Sequence, residues 1–190
     1  MHFQVWSPGA AIDPPVYLDS NIWVSFVVNT QPRYRACAQL FGELLSRRVP
    51  IVFSPLNYHE SLWAIAKISY QDLFNNPRSQ QWSRDIYRRH RQNIWARYGQ
   101  RFQLIASLLS SWTAAGALID AVPSPTASWL GSLDFAPDYT HGLGLEAGDG
   151  VHLTLAATYA RSFVTADSDF QRAAGQAPAA SVNLTIFHIR

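Results

Sequence analysis

Apolar residues in this chain fall into short compact runs, separated by longer stretches with a helical period. Val16-Tyr17-Leu18, Ile51-Val52-Phe53, Leu118–Val122, Ser162–Thr165 and Leu184–Ile189 are the compact runs, and each predicts a buried strand. Ser20-Asn21 can cap a helix that begins over Ile22–Phe26, despite its β-branched residues. Between Tyr34 and Arg48 the apolar positions Ala36, Leu40, Leu44 and Leu45 keep a helical spacing, and Pro50 stops it. Ser54-Pro55 is a helix start, with Ser as N-cap and Pro at the first helical position. That helix carries Leu56, Glu60, Trp63, Ala64 and Lys67 and ends near Asn75-Asn76-Pro77. From Ser79 to Ala115 there is no proline and a single glycine, Gly99, which predicts one or two long helices. Pro123-Ser124-Pro125 makes a turn, and residues 126–144 read as a weak helix followed by a loop. Glu146–Arg161 and Asp167–Ala174 complete the helices. Residues 1–15 hold three prolines without a clear period and read as a short lead-in.

Strands that alternate with helices predict an α/β layer fold with a mostly parallel sheet. Right-handed crossovers then align the carboxyl ends of the strands along one edge, where such sheets bind ligands. At 190 residues the chain is expected to form a single domain over 1–190.

Composition narrows the class. Hydrophobic residues make up 48% and charged residues 15%, enough apolar material for a core and too little charge for a disordered chain. The net charge of +2 does not by itself define a partner. Lys67 is the one lysine and the other 14 basic residues are arginines, which suit bidentate phosphate contacts, although a GC-rich genome leaves the same bias. With Cys37 alone, neither an internal disulfide nor a thiolate zinc site can form, which fits a reducing compartment. The N-terminal sequence MHFQVWSPGAAIDPP lacks a basic start followed by an apolar run, and no stretch suits a membrane helix. A soluble cytoplasmic protein with no membrane partner is expected.

The candidate chemistry lies in five acids. Asp19 ends the first apolar run, and Glu60 lies in the second turn of the helix after Ile51–Phe53. Asp149 opens a helix, and Asp167 and Asp169 follow Ser162–Thr165. In a parallel sheet these positions can converge on one edge. Converging carboxylates repel one another unless a cation neutralises them, and all-oxygen ligands suit Mg²⁺ or Mn²⁺. Each aspartate taken alone is also a common N-cap or turn residue. Glu60, on a helix face between Leu56 and Ala64, has no capping role; it is either a solvated flank residue or an inward ligand.

The segments VYLDSNIWVSF, SPLNYHESLWAI, LEAGDGVHLTLAATYA and FVTADSDF together resemble the motifs of the PIN-domain ribonucleases, in order and in spacing. Asp19-Ser20-Asn21 is similar to that family's D-[ST]-N turn, Glu60 to its helical glutamate, Asp149 to the aspartate opening an Ala-rich helix, and Thr165 to Phe170 to T-x-D-x-D-F. Gly150 stands where the family usually has alanine, and the middle of the chain is longer than in compact members. The resemblance implies a three-layer α/β/α PIN-like fold, with a helical insertion or clip at about residues 75–116. It also implies phosphodiester hydrolysis of RNA supported by Mg²⁺ or Mn²⁺. Asp19, Glu60, Asp149 and Asp167 would be the catalytic metal ligands, Asp169 would serve a second ion or its water, and Asn21 and Thr165 would orient carboxylates. Many small members of the family are toxins with an antitoxin partner, and many are homodimers. A non-catalytic binding module and a DNA-directed nuclease are the competing expectations.

Seven arginines (78, 84, 88, 89, 91, 97 and 101) face one acid, Asp85, between Arg78 and Arg101, with Trp82, Tyr87, Trp95 and Tyr98 interleaved. Arg84, Arg88 and Arg91 share a helical face and are candidate substrate contacts, although a solvated basic helix with inward aromatics has the same pattern. His152, one turn after Asp149, either approaches the site or packs near the helix surface.

Overall fold

The computed structural model describes residues 1–75, 82–121, 143–176 and 183–190. The Pro123–Pro125 turn, nearly all of the weak helix and loop expected over 126–144, and Arg78 lie outside the described residues. Six strands form one sheet: β1 His2–Val5, β2 Val16–Leu18, β3 Ile51–Phe53, β4 Leu118–Asp120, β5 Ser162–Thr165 and β6 Thr185–His188. Their order across the sheet is β1-β6-β5-β2-β3-β4, and every pairing is parallel. The helices are α1 Ser20–Val27, α2 Tyr34–Ser46, α3 Pro55–Leu73, α4 Arg84–Ala114, α5 Ala147–Tyr159 and α6 Asp169–Gln176.

Alternation along each strand sends successive side chains to opposite faces. Val16, Leu18, Ile51, Phe53, Val164 and Phe187 meet Trp23 of α1, Leu40, Phe41 and Leu44 of α2, and Leu108 and Trp112 of α4. Tyr17, Val52, Phe163 and Ile186 meet Leu153 and Ala156 of α5 and Phe170 and Ala173 of α6. Helices therefore cover both faces of a parallel sheet, the three-layer α/β/α arrangement expected. A further apolar cluster joins α1, α3 and α4 through Val24, Val27, Ile65, Ile94, Phe102 and Ile105.

Local chemistry sets the boundaries. Ser54 caps α3 through a reciprocal box, its hydroxyl taking the Asn57 N–H while Asn57 Oδ1 takes the Ser54 N–H, with Pro55 just inside. Asn75 adopts a left-handed φ of 48° just beyond the end of α3, a stop asparagine tolerates. The stretch expected as one or two helices is the single helix α4, started by Ser83, whose hydroxyl accepts the Ile86 N–H. Cys37 is fully buried beneath α2, and burial pushes its thiol up to about 11, so it serves as an inert core residue.

One expectation needs correction. The lead-in contains β1, which pairs residue for residue with β6, His2 to Thr185 through Val5 to His188. As an edge strand it is exposed at His2, Gln4 and Val5, so it shows no apolar run or clean alternation to read. Among the described residues, no helix is long and apolar enough to cross a membrane.

Trp23 is fully buried and packs edge-on against Phe41, Phe53 and Trp112 at ring separations of 5.1, 5.0 and 6.1 Å. Its indole N–H has no hydrogen-bond partner among the described residues. Trp23→Ala is expected to lower the unfolding free energy by about 3–5 kcal/mol. Trp23→Phe should cost clearly less, since it keeps a ring and removes the orphaned donor. Urea unfolding followed by circular dichroism checks both; a Phe variant as damaged as the Ala variant would contradict this account.

Candidate active site

Asp19 leaves β2 at the carboxyl edge of the sheet, its own N–H held by the Val164 carbonyl of the neighbouring strand at 2.9 Å. Asp19, rather than Ser20-Asn21, is the N-cap residue of α1, yet its side chain makes no capping hydrogen bond. Its Oδ2 instead accepts from Thr165 Oγ1 at 2.6 Å and Asn21 Nδ2 at 2.7 Å, and its Oδ1 accepts from Ser20 Oγ at 3.3 Å. Asn21 also uses its Oδ1 to hold the Ala166 N–H at 3.0 Å, and Thr165 Oγ1 accepts the Asp167 N–H at 3.0 Å. These short polar residues thus bind the β2–α1 turn to the β5–α6 turn. The position that a cap would occupy holds a carboxylate locked from two strands.

Glu60 comes to the same place from the second turn of α3. Its Oε2 accepts from Ser20 Oγ at 2.9 Å, so one hydroxyl touches both Asp19 and Glu60. The same oxygen lies 2.7 Å from His152 Nε2. His152 is 1% exposed, and its Nδ1 stands 2.7 Å from the Tyr17 hydroxyl. Tyr17 OH is 3.1 Å from Ser54 Oγ, Ser54 Oγ donates to Asn57 Oδ1 at 2.9 Å, and Asn57 Nδ2 donates to the Leu18 carbonyl at 2.9 Å. His152, Tyr17, Ser54 and Asn57 thus form one buried chain of hydrogen bonds that ends on the Leu18 backbone. Nε2 faces the Glu60 carboxylate, so the imidazole is held by Tyr17 on one side and meets Glu60 on the other. Burial opposes charge on both groups, but their mutual hydrogen bond and attraction prevail. The His152 pKa ends above its ordinary value and the Glu60 pKa below.

Asp149 occupies the first turn of α5, where the helix dipole favours a negative charge. Burial, followed by the negative charges of Asp19 and Asp167, nonetheless pushes its carboxyl up to about 6. Asp19 is also raised, by burial above all, against the pull of the His152 charge and the Thr165 hydrogen bond. Asp19, Glu60, Asp149 and Asp167 are therefore brought into one electrostatic neighbourhood. Asp169, in the first turn of α6, has its carboxylate 3.5 Å from Arg172. The capping role falls differently from expectation, since Asp167 Oδ1 accepts the Asp169 N–H at 2.8 Å at the start of α6. Among the described residues, no group of three or more His, Cys, Asp and Glu side chains is arranged to hold a metal ion as it stands. The donor chemistry nevertheless fits a hard divalent cation: four oxygen-donor side chains, two with pKa values raised in part by their neighbours' negative charge.

A cleft of about 560 Å³ opens beside these acids, lined by Ser20, Asn21, Glu60 and Asp167 together with Gln31 and Arg33. Arg84, Arg88 and Arg91 do not line it. They are exposed on the first turns of α4, and Arg88 is engaged with Asp85 at 3.4 Å. Of the interleaved aromatics, Trp82 and Tyr87 pack against Trp63 of α3, whereas Trp95 is 46% exposed and stacks on Phe102. Sequence reading missed Arg33, which belongs to no motif. It also missed Tyr17, Ser54 and Asn57 as a polar unit; a tyrosine inside the run Val16–Leu18 was the one available sign.

The raised Asp149 pKa has a consequence for stability. Between about pH 4, where an aspartate in the unfolded chain ionises, and about 6, where Asp149 ionises in the fold, the folded chain holds a proton that the unfolded chain has lost. Stability contributed by this group therefore falls as pH rises across that window. Relative to Asp149→Asn, the metal-free wild type is expected to lose melting temperature over that interval; parallel melting curves for the two proteins would refute the coupling.

Comparison with known proteins places this geometry. No individual curated protein matches the chain. The sequence profile of the PIN domain family, whose members are usually nucleases that use divalent metals, matches residues 16–176. That span runs from β2 through α6 and includes Asp19, Glu60, Asp149 and Asp167, and the chain belongs to the PIN domain family.

Proposed function

We propose that the chain is a metal-dependent endoribonuclease whose catalytic acids are Asp19, Glu60, Asp149 and Asp167. The observation that carries this reading is the buried carboxylate of Asp19, placed where a helix cap belongs yet bonded to Asn21, Thr165 and Ser20. Burying a carboxylate among other acids is costly, and here it does not cap the helix that follows. A bound Mg²⁺ or Mn²⁺ would repay that cost, lower the pKa of a water and offset charge on a phosphate.

The residues of the chain supply position. Asn21 and Thr165 fix Asp19 Oδ2, which leaves Oδ1 as the oxygen with the weaker hold, 3.3 Å from Ser20. His152, itself held by Tyr17, fixes Glu60 Oε2. Orienting partners of this kind are typically worth about 10–100-fold in metal affinity or activity. A toxin role, with an antitoxin partner and a homodimeric state, extends the same reading. An adjacent gene for a short acidic protein, and light scattering on the purified chain, would bear on those two points.

Purified wild type is expected to cleave mixed single-stranded RNA with Mn²⁺ and to stop on addition of chelator. Asp19→Asn and Asp149→Asn should each lower the rate by about 100-fold or more. Equal cleavage of single-stranded DNA would move the assignment to a general nuclease, and the absence of metal-dependent cleavage by wild type would end it. Gly148 provides a separate check. A Cβ built there would stand 3.3 Å from Glu60 Oε1. Glycine to alanine in a helix typically stabilises by about 0.4–1 kcal/mol. Gly148→Ala is therefore expected to melt no earlier than wild type yet to need more Mn²⁺ for half-maximal cleavage, because the carboxylate must shift. An unchanged Mn²⁺ requirement would count against Glu60 as a ligand.

A further inference from the structure

The cleft beside the acids contains one feature that the proposed metal site leaves unused. Among the described residues that line it, Arg33 is the sole lysine or arginine. It stands at the N-cap position of α2, where its side chain caps nothing, and the first turn of that helix contains no acid. The guanidinium is partly buried, and its Nε–H donates to the Ile189 carbonyl just past β6 at 3.1 Å. That bond ties the group to the end of the sheet. The donors on its two Nη atoms have no hydrogen-bond partner among the described residues. A planar fork with free parallel donors is the geometry that takes two oxygens of one phosphate.

A nucleic-acid strand carries one negative charge per nucleotide, and the cleft presents it with Glu60 and Asp167. An ion held by the acids offsets charge at the phosphate under attack and leaves the next phosphate facing carboxylates. We infer that Arg33 binds a phosphate of the substrate strand adjacent to the scissile one, with the N-terminus of α2 adding its partial positive charge at the same corner. This assignment rests on the nuclease reading for what is bound and names the residue that holds it. It also shifts the expected cationic contact from Arg84, Arg88 and Arg91 on α4 to a residue within the cleft itself. Arg33 acts on binding and register, not on the chemical step.

The test uses the full chain and a short fluorescein-labelled single-stranded RNA, with Ca²⁺ replacing Mg²⁺ to hold back cleavage. Fluorescence anisotropy is read across a range of salt concentrations. Arg33→Ala and Arg33→Gln are expected to weaken binding by about tenfold and to reduce the slope of log affinity against log salt by about 0.7, the share of one phosphate contact on a single strand. Arg33→Lys should fall between, since it retains charge without the fork. Arg33→Gln can still offer an N–H toward the Ile189 carbonyl, so a folding defect in Arg33→Ala, seen in its melting curve, would not obscure the result. In cleavage assays with Mn²⁺ the same variants should raise KM and leave kcat and the Mn²⁺ requirement close to wild type. Wild-type binding and salt slope in Arg33→Gln would overturn the subsite while metal-dependent cleavage still upheld the nuclease reading. Weakened binding in a protein that never cleaves would overturn the nuclease reading, and with it the position next to a scissile phosphate, and leave Arg33 as a phosphate contact only. Failure of wild type to bind the RNA would overturn the subsite outright.

Discussion

The carboxylate of Asp19 is 4% exposed at the end of a central strand, and much of the surrounding structure answers the cost of placing it there. Thr165 and Asn21 converge on one of its oxygens from two different turns. Ser20 links it to Glu60, and the positive charge of His152 lies close enough to favour its ionised form. Each of these groups is itself held. Asn21 is anchored to the Ala166 backbone, Thr165 to that of Asp167, and His152 to Tyr17 and onward through Ser54 and Asn57 to the Leu18 carbonyl. The β2, β3 and β5 ends are thus joined by side-chain hydrogen bonds exactly at the residues where the backbone ladder stops. Removing one partner from such a network leaves others buried and unpaired, so its members act as a unit.

The parallel sheet makes this convergence possible. Parallel pairing of β5, β2 and β3 sets Thr165, Asp19 and Ser54 at neighbouring strand ends, although they are far apart in sequence. The two faces are sealed by α1, α2 and α4 on one side and by α5 and α6 on the other, so the carboxyl edge is the place where polar side chains can gather. The hydrogen bond between His152 and Glu60 brings α5 and α3 together across that edge. The His152 contact keeps the Glu60 pKa below its ordinary value, while burial and the neighbouring acids raise that of Asp149.

Much of this was visible in the residues. The compact apolar runs marked five of the six strands; four of these are interior, where a parallel strand needs apolar side chains on both faces, and the fifth, β4, is a partly exposed edge strand. The Ser54-Pro55 start and the Asp19-Ser20-Asn21 turn are short-range signals whose physics is local. The strand β1 was hidden because an edge strand needs little apolar content; its partner β6 lies at the other end of the chain. Which of Asp167 and Asp169 receives a backbone N–H at the start of α6 was hidden for a similar reason. Two acids spaced two apart can each reach a helix start, and only the turn geometry decides that Asp167 takes the Asp169 N–H while Asp169 meets Arg172.

The sequence by itself determined the class of the fold and put Asp19, Glu60, Asp149 and Asp167 at strand ends and in the opening turns of helices, since both follow from periodicity, capping chemistry and motif spacing, which are properties of neighbouring residues. Only the tertiary structure decided which side chains surround those acids. Tyr17 sits in an apolar run and His152 in an ordinary helix, and nothing near either in sequence indicates that they meet at 2.7 Å or that Glu60 waits beyond. Arg33 likewise has no local mark among the chain's arginines. It is singled out by the cleft it lines and by the Ile189 carbonyl that orients it, contacts separated by 156 residues and created only when β6 closes against β5.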